Sequence, residues 1–294
     1  MRLSLQGFFL RWVRQKKSHT SASGYIACLL KKLRIEGRPL APTARERLHA
    51  AIVRYRQRYP ASITRAAPID DHTYTTVARY LGPYADGGSL FATQILALLS
   101  IGQHGMLRCS ELMGLQWGDI GVDTTGRMLT VWRPLRKNNK TTISGNDLLA
   151  LPSTGGADDS RAALARLAAL RRRDMPVAGA SPESMAMPLV GGKPPPARGG
   201  LVFVPMSSNG ATVRGNANDW LNGQLRRLFQ LSGLPPPPPM WRYSSHGMRR
   251  GGALMRRRSG APEDAVMAAG QWRSKSGYAP YAPAGLELAA AASR

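Results

Sequence analysis

Acidic residues and cysteine are the two things this chain is short of. Its 294 residues hold 17 Asp and Glu against 41 Lys and Arg, a formal net charge of +24. The two cysteines, Cys28 and Cys109, are too few for a disulfide framework or a cysteine-based zinc site. Reduced thiols of this kind point to an intracellular protein, nuclear in a eukaryote or cytoplasmic in a bacterium. No apolar run approaches the roughly 20 residues that a membrane helix requires. The stretch from Leu3 to Val13 is broken by Gln6 and Arg11, which argues against a signal peptide or an anchor. No acidic cluster has metal-ligand spacing.

What is present in excess is positive charge, and it is uneven. Residues 1–65 hold fifteen Lys and Arg but only Glu36 and Glu46 as acids, a surplus of 13 of the 24. Such a balance points to a polyanionic partner, because each cation placed on a phosphate releases a condensed counterion. A ribosome-associated or merely basic soluble protein fits the charge as well. Hydrophobic residues make up 43%, enough for real cores. The signs of common RNA-binding modules, an aromatic-rich ribonucleoprotein motif or a Gly-x-x-Gly loop in a KH-like setting, are not evident.

The hydrophobic spacing predicts two domains. Tyr25, Ile26, Leu29, Leu30 and Leu33 recur at helical intervals over Ser23–Leu33. Thr43 is a plausible N-cap for a second helix through Leu48, Ile52, Val53 and Tyr55, with Arg45, Arg54, Arg56 and Arg58 largely off that face. Residues 1–66 therefore read as a small basic helical unit suited to clamping DNA, Tyr59-Pro60 as its end and Arg65–Pro68 as a linker. Residues 70–294 read as a larger domain. A helix is expected over Phe91–Gly105, a short one capped by Ser110, strands at Met128–Trp132 and Leu148–Leu151, and a helix over Arg161–Arg173. The Pro/Gly-rich residues 176–200 and the run Pro235–Pro239 read as flexible insertions. Ser245 is the expected cap of a helix ending at Arg258 before Gly260, and Pro262-Glu263-Asp264 opens another that runs to Gly270.

The chemistry-bearing residues are Arg108, Lys140, the pair His246 and Arg249 on one helix face, Trp272 and Tyr281. Singly, each has a bland reading as a cap, a surface charge or a packing residue. Their order changes this. Leu107-Arg-Cys-Ser-Glu-Leu-Met-Gly-Leu-Gln-Trp-Gly-Asp119 resembles the first arginine box of the tyrosine recombinases, the phage-integrase-like enzymes. Ser245-His-Gly-Met-Arg-Arg-Gly-Gly-Ala253 resembles their second box, and Pro262 to Tyr281 the stretch that ends in the nucleophile. In character the first run is closest to the recombinases of DIRS-type retrotransposons. The resemblance covers roughly residues 90–285; more loosely, the N-terminal unit resembles the family's core-binding domain without its first helix.

That resemblance implies a mainly α fold with a small antiparallel sheet, and an enzyme that cuts and rejoins double-stranded DNA without metal, ATP or other cofactor. It implies that Arg108 and Arg249 clamp the nonbridging phosphate oxygens, where preorganised donors are worth several kcal/mol in the transition state. A free phenol keeps its proton up to about pH 10, so a tyrosine nucleophile must lose it while reacting. By resemblance Tyr281 bonds to the 3′ phosphate, His246 assists the proton transfer and Lys140 protonates the departing 5′ oxygen. Alternatives stay open: Tyr278 for Tyr281, Lys137 for Lys140, and Gln271 for Trp272. Met106 stands where the family usually has glycine. Arg250 reads as a DNA contact or surface charge, and Arg256–Arg258 as a solvated or dipole-complementing helix end. The family works as a homotetramer on DNA, and the Ala/Leu-rich tail from Leu286 to Ala292 suits either a short exchanged helix or a frayed end. A decayed or domesticated recombinase that holds DNA without cutting is the competing reading.

Overall fold

The computed structural model describes residues 19–58, 65–122, 128–132, 148–152, 154–156, 159–174 and 200–282. The chain divides into two compact units, residues 1–64 and 65–294. Lys137, Lys140, the insertion at 176–199 and the tail from Leu286 lie outside the described residues.

In the first unit, helices α1 (His19–Ile35) and α2 (Pro42–Arg58) pair through Ile26, Leu48 and Ile52, with Leu30 and Ala51 against them. Tyr25, expected on the apolar face, is instead exposed. Pro42 rather than Thr43 opens α2, at a position where its missing N–H has no partner to lose. Arg45, Arg47 and Arg54 face solvent.

The second unit is mainly helical with a small antiparallel sheet. After β1 (Arg65–Ala66) come α3 (Asp71–Asp86), α4 (Leu90–His104) and α5 (Cys109–Met113). Strands β2 (Ile120–Val122), β3 (Met128–Trp132) and β4 (Leu148–Pro152) form the sheet in sequential order. Helix α6 (Ser160–Asp174), α7 (Ala217–Leu231), β5 (Trp241–Arg242), α8 (His246–Arg258), α9 (Glu263–Gly270) and α10 (Lys275–Tyr278) follow, and a 3-10 turn carries Tyr281.

Helix α4 is the hub. It is apolar on nearly every side, which suits a helix surrounded by others. Phe91, Ile95, Leu98, Leu99 and Ile101 are all buried in the main core, which α3, α6 and α8 help to enclose. The sequence reading assigned nothing to α3 or α7. Asp70 caps α3 by accepting from the Thr73 amide at 3.1 Å, and α7 buries Leu221, Leu225, Leu228 and Phe229 on one face. Ser110 does not cap α5; Arg108 holds the N-cap position, and Glu111 reaches back to its amide at 2.8 Å.

Two loops differ from their expected character. Arg65-Ala66, read as linker, pairs in parallel with Trp241-Arg242, and the Arg65 amide donates to Met240 at 2.7 Å. The proline run ahead of β5 is tied in as well: the Tyr243 hydroxyl donates to Pro235 at 3.1 Å and the Trp241 amide to Pro238 at 3.0 Å. Consecutive prolines restrict φ and give up amide donors, but their carbonyls still accept.

The β1 segment is held against α8 by the absence of side chains. The Ile69 amide donates to the Gly247 carbonyl at 2.9 Å. A Cβ on Gly247 would stand 2.2 Å from the Ala67 oxygen, and one on Gly251 1.7 Å from that of Ile69. These glycines, four apart on one helix face, let backbone lie on backbone. Gly251→Ala is expected to destabilise the protein by about 1–3 kcal/mol or more through overpacking. A urea midpoint equal to that of the unaltered chain would refute this close packing.

Candidate active site

The site is built where α8 begins, α4 ends and the chain leaves α9. Helix α7 sets the first of these. Asn222 Oδ1 accepts from the Ser245 amide at 2.7 Å, and Asn218 Oδ1 from the Ser245 hydroxyl at 3.2 Å. Ser245 therefore precedes α8 as expected but makes no side-chain cap bond to it. His246, the first residue of α8, is thereby aimed at the C-terminal segment.

Arg249 is the buried centre of the arrangement, with 1% of its surface exposed. Its Nη1 donates to the Met106 carbonyl at 2.6 Å, and its Nη2 donates to the Gly270 carbonyl. Both carbonyls lie at helix ends that turn through left-handed residues: Met106 has φ 47° after α4, and Gln271 has φ 56° after α9. The position where the family usually has glycine thus adopts the conformation that glycine takes without strain. A non-glycine residue there costs roughly 1–2 kcal/mol. The Met106 side chain offsets that cost by filling a small separate core with Ala253, Val266 and Tyr278.

The aromatic residues stack around this guanidinium. Its central carbon stands 4.2 Å from the Trp272 ring centroid and 5.8 Å from that of Tyr281. The Trp272 and Tyr281 rings are 4.8 Å apart. A second arginine flanks the same tyrosine. Arg250, read as a DNA contact or surface charge, is only 6% exposed. Its Nη1 donates to Ala66 at 3.0 Å, and its guanidinium carbon lies 5.5 Å from the Tyr281 ring. The available signal was its spacing, four residues after His246 and so on the same helix face.

The Tyr281 hydroxyl is hydrogen-bonded to His246 Nε2. Part of the imidazole is open to solvent, yet protein packs closely around the rest. Burial first, and then the charges of Arg249, Arg250 and Arg108, push its pKa from 6.5 down to about 4. With the ring neutral, the phenol donates and Nε2 accepts. Tyr278 sits otherwise. It is 2% exposed, its hydroxyl has no hydrogen-bond partner among the described residues, and burial raises its pKa. Its ring packs edge-on to Trp272 at 5.2 Å.

Arg108 is half-buried and ion-paired with Glu111 through Nη1. Its charge reaches both His246 and Arg249. Burial foremost, and then the Arg108 charge, lowers the pKa of Arg249 to about 10, which leaves it cationic at neutral pH. The structure thus brings Arg108, His246, Arg249, Trp272 and Tyr281 into one constellation. Arg256–Arg258, expected as a solvated or dipole-complementing helix end, do stand in the last turn of α8, where Arg258 is exposed and Arg256 and Arg257 are half-buried. Arg256 donates to His104 at 3.1 Å, Arg257 to Ala261 at 2.6 Å, and Arg258 lies 3.7 Å from Asp70. Among the described residues no group of three or more His, Cys, Asp or Glu is placed to hold a metal ion, and no helix is long and apolar enough to cross a membrane.

No family model matches the chain, and no curated protein does. Among solved structures the chain is similar in fold to several DNA recombinases and integrases. One is the XerH site-specific recombinase bound to its difH substrate, at 14% identity and a TM-score of 0.48 over 78% of this chain and 53% of that one. The chain therefore spans about half the length of the XerH protein. The XerA recombinase is similar at 13% identity and a TM-score of 0.46, over 99% of this chain and 98% of the other. The Tn1549 transposon integrase, in complex with a circular intermediate DNA, is similar at 15% identity and a TM-score of 0.49, over 98% and 99%. None of the three bears on the resemblance to DIRS-type recombinases.

The charges around His246 give a pH test. Its folded pKa lies below its unfolded value, so the imidazole is neutral in the fold and stability falls as pH drops from 6.5 toward 4. Titration followed by the histidine ring resonances is expected to place the His246 midpoint near 4, and Arg250→Gln to move it upward. A midpoint at 6.5 would contradict the packing and the three neighbouring cations.

Proposed function

We propose that this chain is a tyrosine recombinase: it cleaves DNA with Tyr281, holds the broken strand as a 3′-phosphotyrosine, and rejoins it to a new 5′ hydroxyl. The observation that carries this reading is the Tyr281 hydroxyl hydrogen-bonded to a neutral His246 between two buried arginines. A phenol and a neutral imidazole in contact supply the nucleophile and the group that takes its proton. As the Tyr281 oxygen bonds to phosphorus, the phenolic proton passes to His246 Nε2. The bond to the 5′ oxygen breaks, and by resemblance Lys140 protonates that oxygen. Negative charge grows on the nonbridging oxygens, and by resemblance Arg108 and Arg249 are the cations that oppose it. Because the phosphotyrosine conserves the phosphodiester bond energy, rejoining needs no ATP.

Double-stranded DNA is the proposed partner, supported by the charge of +24 and by exposed Arg45, Arg47 and Arg54 on α2. Assembly as a homotetramer on DNA, in the nucleus or the bacterial cytoplasm, is part of the same proposal and rests on the resemblance.

A second reading has an observation of its own. Both Nη groups of Arg249 are engaged by backbone carbonyls, and Arg108 is paired with Glu111. Arginines committed in this way suit a protein that holds DNA without cutting it.

A nicked suicide substrate separates the two readings. The unaltered chain is expected to form a covalent protein–DNA adduct that peptide mapping by mass spectrometry places on Tyr281. Tyr281→Phe should form none, and Arg108→Ala should slow adduct formation by at least about 100-fold, the scale of losing one preorganised donor. An adduct on Tyr278, or one that survives Tyr281→Phe, would overturn the nucleophile assignment. No adduct together with tight DNA binding would favour the second reading.

A further inference from the structure

Two arginines lie against the Trp241 ring. The guanidinium carbon of Arg250 is 5.3 Å from its ring centroid, and that of Arg65 is 6.0 Å from it. Arg65 is exposed, Trp241 half-buried and Arg250 buried. Neither arginine has an ion-pair partner among the described residues. Each lies at the parallel β1–β5 pairing or leans on it: Arg65 stands opposite Trp241 in the register, and Arg250 donates to the Ala66 carbonyl.

This pairing is electrostatically unfavourable as it stands. Two guanidiniums share one indole, and each charge opposes the other. Attraction to a ring face contributes only about 0.5–2 kcal/mol per cation, less than a desolvated carboxylate would. Arg250 also has a donor to spare: its Nε is buried with no hydrogen-bond partner among the described residues. Leaving such a group unpaired costs roughly 1–3 kcal/mol, more when it is charged. An anion held close to both guanidiniums offsets their mutual repulsion. A phosphate diester has the charge and the acceptor oxygens that suit paired guanidiniums.

The cluster adjoins the nucleophile. Arg250 flanks the Tyr281 ring on one side at 5.5 Å while Arg249 flanks it at 5.8 Å, each arginine stacked on its own tryptophan. We infer that Arg65, Trp241 and Arg250 form a second phosphate subsite, which takes a backbone phosphate of the same DNA next to the one that Tyr281 attacks. The subsite rests on the DNA reading above and adds to it a contact that fixes the register of the strand against the nucleophile. Because Arg250 hangs from the Ala66 carbonyl, the subsite also ties the start of this unit to the reacting tyrosine.

The test uses the full chain carrying Tyr281→Phe, so that binding is measured without cleavage, and a duplex DNA titrated over a range of salt. Each phosphate neutralised contributes a slope of about −0.9 to the logarithm of the binding constant against the logarithm of salt concentration. Adding Arg65→Gln is expected to reduce that slope by about 1 and to weaken binding alike across unrelated sequences. Arg65 is exposed and pairs only through its backbone, so the exchange leaves β1 intact. The control is Arg166→Gln, which removes a charge already met by Asp86 at 2.8 Å and should leave the slope unchanged. Arg250→Lys, which keeps the charge but loses the Nε donor and the fork, should weaken binding with the slope retained. In the cleaving chain, Arg65→Gln should slow adduct formation on Tyr281, because the contact that fixes the strand's register is lost. A slope unaltered by Arg65→Gln, with DNA binding and adduct formation intact, overturns the subsite and leaves the proposed function standing. Failure of the unaltered chain to bind DNA at all removes both.

Discussion

The buried Arg249 guanidinium is the contact on which the rest of the site depends. It joins two turns distant in sequence, one after α4 through Met106 and one after α9 through Gly270. Without a partner a buried guanidinium is among the most expensive groups in a protein, so both carbonyls are held where they are. Those turns in turn fix Trp272, and Trp272 supports Tyr281. The cost of left-handed Met106 and Gln271 is borne by the same contact. Strain, charge burial and aromatic stacking therefore meet at one point, and the Tyr281 hydroxyl is its outer edge.

A second, weaker arrangement of the same kind lies on the other side of the tyrosine. Arg250 stacks on Trp241 and is fastened to Ala66, so two arginine–tryptophan pairs bracket one ring. After burial, their charges help to hold the pKa of His246 down to about 4, where the imidazole is neutral at ordinary pH. The excess of cations over acids thus acts in the interior as well, by favouring the neutral imidazole. The interior use requires that carboxylates be scarce near the histidine; Glu111 offsets part of the Arg108 and Arg249 charge but leaves the balance positive.

Much of the fold was legible because its signals are local. Strand β3 runs from Met128 to Trp132 as its β-branched and aromatic residues suggest, and α8 spans His246–Arg258 between Ser245 and Gly260. Helix ends were less legible where a side chain has more than one use: Thr43 follows Pro42 inside α2, Ser110 sits within α5, and the Ser245 hydroxyl turns to Asn218. Helix α7 carries an apolar face of helical spacing and was passed over beside its proline- and glycine-rich neighbours. The pairing of Arg65-Ala66 with Trp241-Arg242 joins segments far apart in the chain, and no local pattern announces it. For the same reason the sequence shows Arg250 only as a DNA contact or a surface charge: its acceptor, Ala66, is 184 residues away.

The sequence by itself determined the excess of positive charge, the mainly helical character, and the ordered set Arg108, His246, Arg249, Trp272 and Tyr281. These follow from composition, from spacing along single helices and from short motifs, all of which are written within a few residues. Only the tertiary structure decided which tyrosine faces the imidazole. Tyr278 and Tyr281 are three residues apart and alike in local pattern, but the 3-10 turn sends one into the small core with Met106 and Val266 and leaves the other on His246 Nε2. Burial and hydrogen bonding are properties of what surrounds a side chain, and those surroundings are assembled from α4, α8 and α9 together.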